Sequence, residues 1–150
     1  MPRSGFVFQV FIENPAGTNV KHTFNEKTLE PIKTEIVAAN YPFPYGFILN
    51  TTSGDGDNVD CFVITGRELK TGDIVDCKAA GLIVQIEDGE VDNKILGTIC
   101  GEEIPVWEEH ITMVREFAQQ VFAHLPDKII EVGDFMEKEV AEQYINGCLD

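Results

Sequence analysis

The segment Ser53-Gly54-Asp55-Gly56-Asp57-Asn58-Val59-Asp60-Cys61 sets three carboxylates within six residues, among glycines that let the backbone bend around an ion. Hard cations such as magnesium take oxygen ligands, and clustered carboxylates repel one another unless a cation neutralises them. The competing reading is a solvated acidic turn, ordinary in an acidic chain. A calcium loop of the EF-hand type fails in detail. Counted from Asp55, its fifth position is Val59, its glycine position is Asp60 and its terminal glutamate position is Gly66. A second charged group, Glu87, Asp88, Asp92 and Lys94, spans the turn at Asp88-Gly89. Alone it reads as a charged hairpin tip. Asp92 and Lys94, however, share one face of a strand by two-residue periodicity. If that face meets the first cluster, the result is a bowl of carboxylates with one lysine aimed at an anion.

The elements that must position these groups follow from pattern. Residues 6–12 and 20–24 read as strands, residues 29–58 as mostly irregular (Pro31, Pro42, Pro44, Gly46, Gly54 and Gly56), and residues 59–65 as a third strand. A turn at 70–73 leads into a long β-rich run, 74–86, interrupted at Ala79-Ala80-Gly81. The Asp88-Gly89 hairpin turn then leads into 91–99. Short, closely spaced strands with glycine kinks predict a small barrel. Asp60, at the start of an apolar strand, then points away from Val59 and Cys61 into the barrel mouth, where a metal or a lysine must accompany it.

Beyond residue 104 the period becomes helical. Trp107, Ile111, Val114, Ala118, Val121, Phe122 and Leu125 form one stripe, with Pro105 in the first turn and Pro126 as the stop; Trp107, Phe117 and Phe122 are expected in the core. A brief strand at 128–132 follows. Asp134 and Glu137 then read as a capping pair for a last helix, with Phe135, Val140, Ala141 and Tyr144 facing inward and Gly147 as its stop. The expectation is one α+β domain over residues 1–150, a barrel carrying two peripheral C-terminal helices.

Composition narrows the function. With 26 acidic and 11 basic residues the net charge is −15, which disfavours nucleic acid as a partner because phosphate-backbone binders need a basic face. Cys61, Cys77, Cys100 and Cys148 are widely spaced, so neither a zinc site nor a disulfide framework is supported, and reduced thiols are expected. No segment has the length of a membrane span. The single charge in Met1 to Gly5 and the broken apolar run after it read as the approach to a strand rather than a signal peptide. A cytoplasmic location is the default. His22 and His110 lack metal-ligand partners at useful spacing.

Taken together, Tyr41-Pro42-Phe43-Pro44-Tyr45-Gly46-Phe47-Ile48 and Asp55-Gly56-Asp57-Asn58-Val59-Asp60 resemble the soluble (family I) inorganic pyrophosphatases. That family carries a Y-P-x-x-Y-G-F/Y-I segment followed at this distance by D-G-D-P-x-D. The resemblance continues through Thr71-Gly72-Asp73, Gly81-Leu82 and Asp92-Asn93-Lys94 and covers roughly residues 6–145. It implies an OB-like five-stranded β-barrel, magnesium (Mg2+) dependence, a homo-oligomer, and hydrolysis of pyrophosphate to two phosphates. By the same resemblance, Asp55, Asp57, Asp60 and Asp92 match metal-binding aspartates, and Asp57 also matches the residue that deprotonates or orients the attacking water. Glu87 falls where a further metal-binding aspartate is usual, and Glu13 matches a glutamate of the outer metal shell. Lys21 and Lys94 match phosphate-binding lysines, and Tyr45 a tyrosine of the substrate pocket.

A pyrophosphate-binding chain of this charge must act through bridging cations and a few focused lysines, and phosphoryl transfer needs mainly positioning and charge stabilisation. The chain departs from the family in four places. Asn58 replaces a proline, and Thr23 stands where a glutamate is expected. Lys33 takes the approximate place of a phosphate-binding arginine, keeping the charge without the bidentate fork. The segment Val121-Phe122-Ala123-His124 lacks a Tyr-Lys pair that grips the substrate, for which His124 or Lys128 could compensate. Two alternatives therefore stand beside pyrophosphate hydrolysis: another small phosphoanhydride as substrate, or a non-catalytic metal-binding homologue.

Overall fold

The computed structural model describes residues 6–102 and 104–150; the reading of residues 1–5 lies outside them. Among the described residues the order of elements is β1 (Val7–Asn14), β2 (Val20–Phe24), β3 (Pro31–Ile36), β4 (Tyr45–Ile48), β5 (Asp60–Val63), β6 (Ile74–Glu87), β7 (Glu90–Val91), β8 (Lys94–Ile99), α1 (Glu108–Gln120), β9 (Ile130–Glu137) and α2 (Lys138–Gly147).

β1 pairs antiparallel with β4 on one edge and with the first half of β6 on the other. β4 pairs antiparallel with β5, β5 runs parallel to β8, and β8 returns antiparallel to β6. The ring β1-β4-β5-β8-β6-β1 closes, giving the expected five-stranded OB-like barrel and removing its free edges. The Ala79-Ala80-Gly81 interruption is a shift in pairing with β8, not a break, so β6 runs on past the barrel to pair with β9 and β7.

Alternation sorts the strands into two faces. Val10, Ile12, Ile48, Cys61, Val63, Cys77, Leu82 and Ile95 come from all five barrel strands and fill the interior, joined by Ala141 and Ile145 of α2. Tyr45, Phe62, Ile83 and Leu96 point out through the wall and are covered by Ile111, Val114 and Phe117 of α1. The β2–β3 hairpin stands outside the wall, anchored where Phe24 packs edge-on against Phe11 at 4.9 Å.

Several expectations are corrected. Residues 29–58 are mostly irregular, as expected, but two strands lie within them. These are β3, opened by Pro31 at a strand start where a missing N–H is tolerated, and β4, four buried residues hidden behind Pro42 and Pro44. The strand expected at 91–99 splits into β7 and β8 because Asn93 Oδ1 accepts the Gln85 N–H at 3.1 Å in place of a backbone carbonyl. Helix α1 begins three residues beyond Pro105, with Trp107 as an exposed N-cap residue, and ends at Gln120, leaving Leu125 exposed in the following turns. His110 Nδ1 accepts the Trp107 N–H at 2.9 Å.

The brief strand at 128–132 becomes eight residues because β6 offers a long free edge, and it absorbs Asp134, Phe135 and Glu137. The expected capping pair therefore does not form: Glu137 is the N-cap of α2 without a side-chain cap bond, and Gly147 is helical, with Cys148 after it. Ala141 and Ile145 face the core, Tyr144 is half-buried, and Val140 is exposed.

Gly46 lets β4 approach β1. A Cβ there would stand 1.8 Å from the Phe11 carbonyl oxygen and 3.0 Å from Ile12 Cα, both backbone atoms that cannot step aside. Gly46→Ala is expected to destabilise by about 3 kcal/mol or more, read as a fall in the thermal or urea midpoint. An unchanged midpoint would contradict the close approach.

Candidate active site

Barrel register builds the centre of the site. Asp60 and Lys94 are direct neighbours in the parallel β5–β8 pair. Both side chains lie on the face of Phe62 and Leu96, not of interior Cys61 and Val63. Asp60 therefore faces the cavity outside the wall, which corrects its expected placement in the barrel mouth; the lysine expected beside it is Lys94. The Lys94 Nζ donates to Asp60 Oδ2 at 2.7 Å, Asp92 Oδ2 at 3.0 Å and Tyr45 Oη at 2.9 Å, which uses all three of its hydrogens. The group is largely shielded from water: Lys94 is 7% exposed and Tyr45 9%.

The carboxylate loop is ordered by its own side chains. Asp55 Oδ1 accepts the Ser53 hydroxyl at 2.5 Å and the Asp57 N–H at 3.0 Å, and Ser53 N–H donates to the Asp57 carbonyl at 2.7 Å. Gly56, at φ +89°, makes the turn that leaves Asp57 exposed at its tip. On the neighbouring wall the hairpin turn Asp88-Gly89, φ +50° and +85°, sends Glu87 and Asp92 to the same side. Glu87 Oε2 pairs with Lys128 Nζ at 2.8 Å, and Asp88 Oδ2 lies 3.5 Å from the same amine.

All ten residues singled out from the sequence line one cavity of about 700 Å³: Glu13, Lys21, Lys33, Tyr45, Asp55, Asp57, Asp60, Glu87, Asp92 and Lys94. The hairpin contributes Lys21, whose Nζ donates to Thr23 Oγ1 at 3.3 Å, and Lys33, directly opposite Thr23 in the β2–β3 register. Lys128 joins them, whereas His124 is not among the lining residues. Glu26, Lys27, Tyr41 and Gln85 also line the cavity and were not singled out. The spacing Gln85, Glu87 along β6 carried a signal for Gln85. Asn25-Glu26-Lys27-Thr28 is polar throughout and carries no burial signal, and Tyr41 opens the Tyr41–Ile48 segment, of which only Tyr45 was matched to the substrate pocket.

Crowded carboxylates shape the electrostatics. Burial, then repulsion from Asp60 and Glu26, pushes Glu13 up to about 8. Burial pushes Glu26 up to about 7, although the Asn58 N–H works against it. Asp57, although exposed, is raised by partial desolvation and by repulsion from Asp55 and Asp92. Burial also raises Asp60 against the pull of Lys94, while Asp92 is desolvated yet held low by Lys94 and by hydrogen bonds from its neighbours. Between pH 4.5 and 8 the folded state thus holds more protons on Glu13 and Glu26 than the unfolded chain, so stability falls as pH rises. In chelator, the melting temperature is expected to be higher at pH 5 than at pH 8. A melting temperature that climbs over that interval would contradict the burial of these two acids.

Among the described residues no three acidic, His or Cys side chains close on one point as a finished cage. The ion pairs explain it: Asp60 and Asp92 lean on Lys94, and Glu87 on Lys128. The donor set nevertheless fits magnesium, which keeps several waters and takes one or two carboxylates with phosphate oxygens rather than an all-protein cage. The buried Gln85 Oε1 has no protein partner among the described residues, and a cation's water would supply the donor it wants.

Comparison with known proteins agrees with this geometry. An inorganic pyrophosphatase from Nanoarchaeum equitans is 32% identical over 145 residues, covering 90% of this chain and 91% of the other. One from Neisseria meningitidis is 36% identical over 135 residues, covering 87% and 70%. The fold matches the crystal structure of an inorganic pyrophosphatase from Thermus thermophilus with a TM-score of 0.88 at 22% identity, over 99% of this chain and 92% of that one. For one from Neisseria gonorrhoeae the score is 0.86 at 26% identity, over 96% and 90%. The sequence model of the family described as inorganic pyrophosphatase matches residues 10–150, and with that extent of agreement the chain belongs to the inorganic pyrophosphatase family, hydrolases that depend on metal ions.

Proposed function

We propose that this protein hydrolyses inorganic pyrophosphate to two phosphates with magnesium, working as one domain. The observation that carries the reading is the cavity itself: in a chain of net charge −15, eight carboxylates and five lysines from distant elements line one space of about 700 Å³. Magnesium, when bound, lowers the pKa of a water and neutralises phosphate charge.

In this reading Asp55, Asp57, Asp60, Glu87 and Asp92 hold the ions, with Glu13 supporting them from behind. Asp57, exposed at the loop tip, takes the proton of the attacking water, and its raised pKa suits a base working near neutrality. Lys21 and Lys33 bring positive charge from the hairpin to the phosphate oxygens. Once the charge of Asp60 and Asp92 is shared with a cation, Lys94 can turn its donors to phosphate, while Tyr45 holds its amine in place. A homo-oligomer belongs to the same reading, supported by the exposed Ile32, Ile36 and Trp107. The four unpaired thiols support a cytoplasmic setting.

The test is phosphate release from pyrophosphate with and without Mg2+. Fast release that requires the metal is the expected result. Background release together with calorimetric Mg2+ binding would redirect the reading to another small phosphoanhydride.

A further inference from the structure

The turn between β2 and β3 lies against the carboxylate loop through residues to which no role has been given. Asn25 shapes that turn: its Oδ1 accepts the N–H groups of Lys27 and Thr28 at 3.0 and 2.9 Å. The turn so formed presents Glu26 and Lys27 to Asn58, the residue that follows Asp57. Glu26 Oε1 accepts the Asn58 N–H at 2.7 Å. Lys27 Nζ donates to Asn58 Oδ1 at 2.7 Å, the Thr51 carbonyl at 2.8 Å and Thr52 Oγ1 at 3.0 Å. Each ammonium hydrogen therefore has an acceptor, and all three acceptors lie on the segment 51–58 that carries Asp55 and Asp57.

Asn58 is the fixed point of this contact. It is 2% exposed, and its Nδ2 donates to the carbonyl of Ile48 in β4 at 3.0 Å. The loop is thereby tied to the barrel wall on one side and to the hairpin on the other. The same hairpin brings Lys21 and Lys33 to the cavity. One ammonium group thus joins the half of the site that carries lysines to the half that carries aspartates. Its remaining ion pair, to Asp150 Oδ2 at 3.6 Å, is half exposed on both sides and adds little.

We propose that Lys27, acting through Asn58, is a positioning residue that latches the β2–β3 hairpin to the carboxylate loop and sets the spacing between the two halves of the site. The latch rests on the metal-dependent function proposed above. Charge and positioning predict opposite outcomes when Lys27 is removed. A cation near Asp55 and Asp57 repels an incoming divalent ion, so by charge alone its loss tightens magnesium binding. Loss of the latch frees the loop and weakens it.

The experiment is calorimetric titration of Mg2+ into the full chain as wild type, Lys27→Met and Lys27→Arg, with pyrophosphate kinetics alongside. Lys27→Met is expected to weaken Mg2+ binding roughly tenfold, as loss of charge-assisted hydrogen bonds does. It is also expected to lower kcat at saturating Mg2+ more than it raises KM, with Lys27→Arg recovering part of both. Lys27 is half exposed, so folding is not at stake, and an unchanged melting temperature checks it. Unchanged or tighter Mg2+ binding by Lys27→Met overturns the latch, whatever kcat does. A wild type that binds no Mg2+ overturns the functional reading itself, and the latch with it.

Discussion

Asp57→Asn is expected to lower kcat for pyrophosphate hydrolysis by about 10²–10⁴, the range that a positioned general base contributes. The change removes a proton acceptor while keeping size and shape. Asp57 is exposed, and its side chain holds no other residue in place, so stability should move by no more than about 0.5 kcal/mol. Relief of repulsion from Asp55 and Asp92 works slightly in its favour. The measurement is steady-state phosphate release over a range of Mg2+, with a melting curve on the same sample. A kcat within tenfold of wild type at saturating Mg2+ would remove Asp57 from the role of base and leave it as one carboxylate among several.

Lys94→Met should act in the other direction, on stability first. It leaves Asp60 and Asp92 facing a half-buried space without their shared cation and takes the donor from Tyr45 Oη. Removing one partner of a buried ion pair costs about 3–5 kcal/mol. In a chain of this size that is a fall of about 10 °C in melting temperature. Methionine fills much of the lysine stem's volume, so the loss reports charge and hydrogen bonding rather than a cavity. The same substitution makes a second, sharper prediction: added Mg2+ should raise the melting temperature of the variant more than that of the wild type, because the two orphaned carboxylates bind it more strongly. A variant in chelator that melts within 2 °C of wild type, on the scale of ~0.5 kcal/mol for a surface change, would mean that water already shares the load.

The chemistry of the site was readable where it is local. Asp55, Asp57 and Asp60 sit in one loop and strand start, and Asp92 with Lys94 in one strand, so spacing alone puts each set on a common side. Their meeting was not readable from pattern: Asp60 and Lys94 come together through a parallel pairing that nothing near either residue announces. Faces went wrong for a related reason. Alternation says that Asp60 opposes Cys61, but only the closed ring tells which face is interior. β4 escaped notice because four residues directly after two prolines are too few to show a period, and β9 was cut short because its length is dictated by the edge of β6. Glu26 and Lys27 were hidden differently. They occupy a polar turn, and the one hint of their partner was Asn58 in place of an imino acid that has no N–H to give.

The parallel β5–β8 contact also has a kinetic consequence. The antiparallel neighbours β6 and β8, like β4 and β5, can find each other through a short loop, but β5 meets β8 only after the whole of β6 has been made, and β1 reaches β6 only across more than half the barrel's chain length. Such non-local pairings pay loop-closure entropy before they return contacts, which places folding toward the millisecond-to-second end of the range. Asp60 meets Lys94 only when the ring shuts. A chain leaving the unfolded state therefore has no partial site to populate, and recovery of activity on refolding should track the last strand to join rather than the first helix to form.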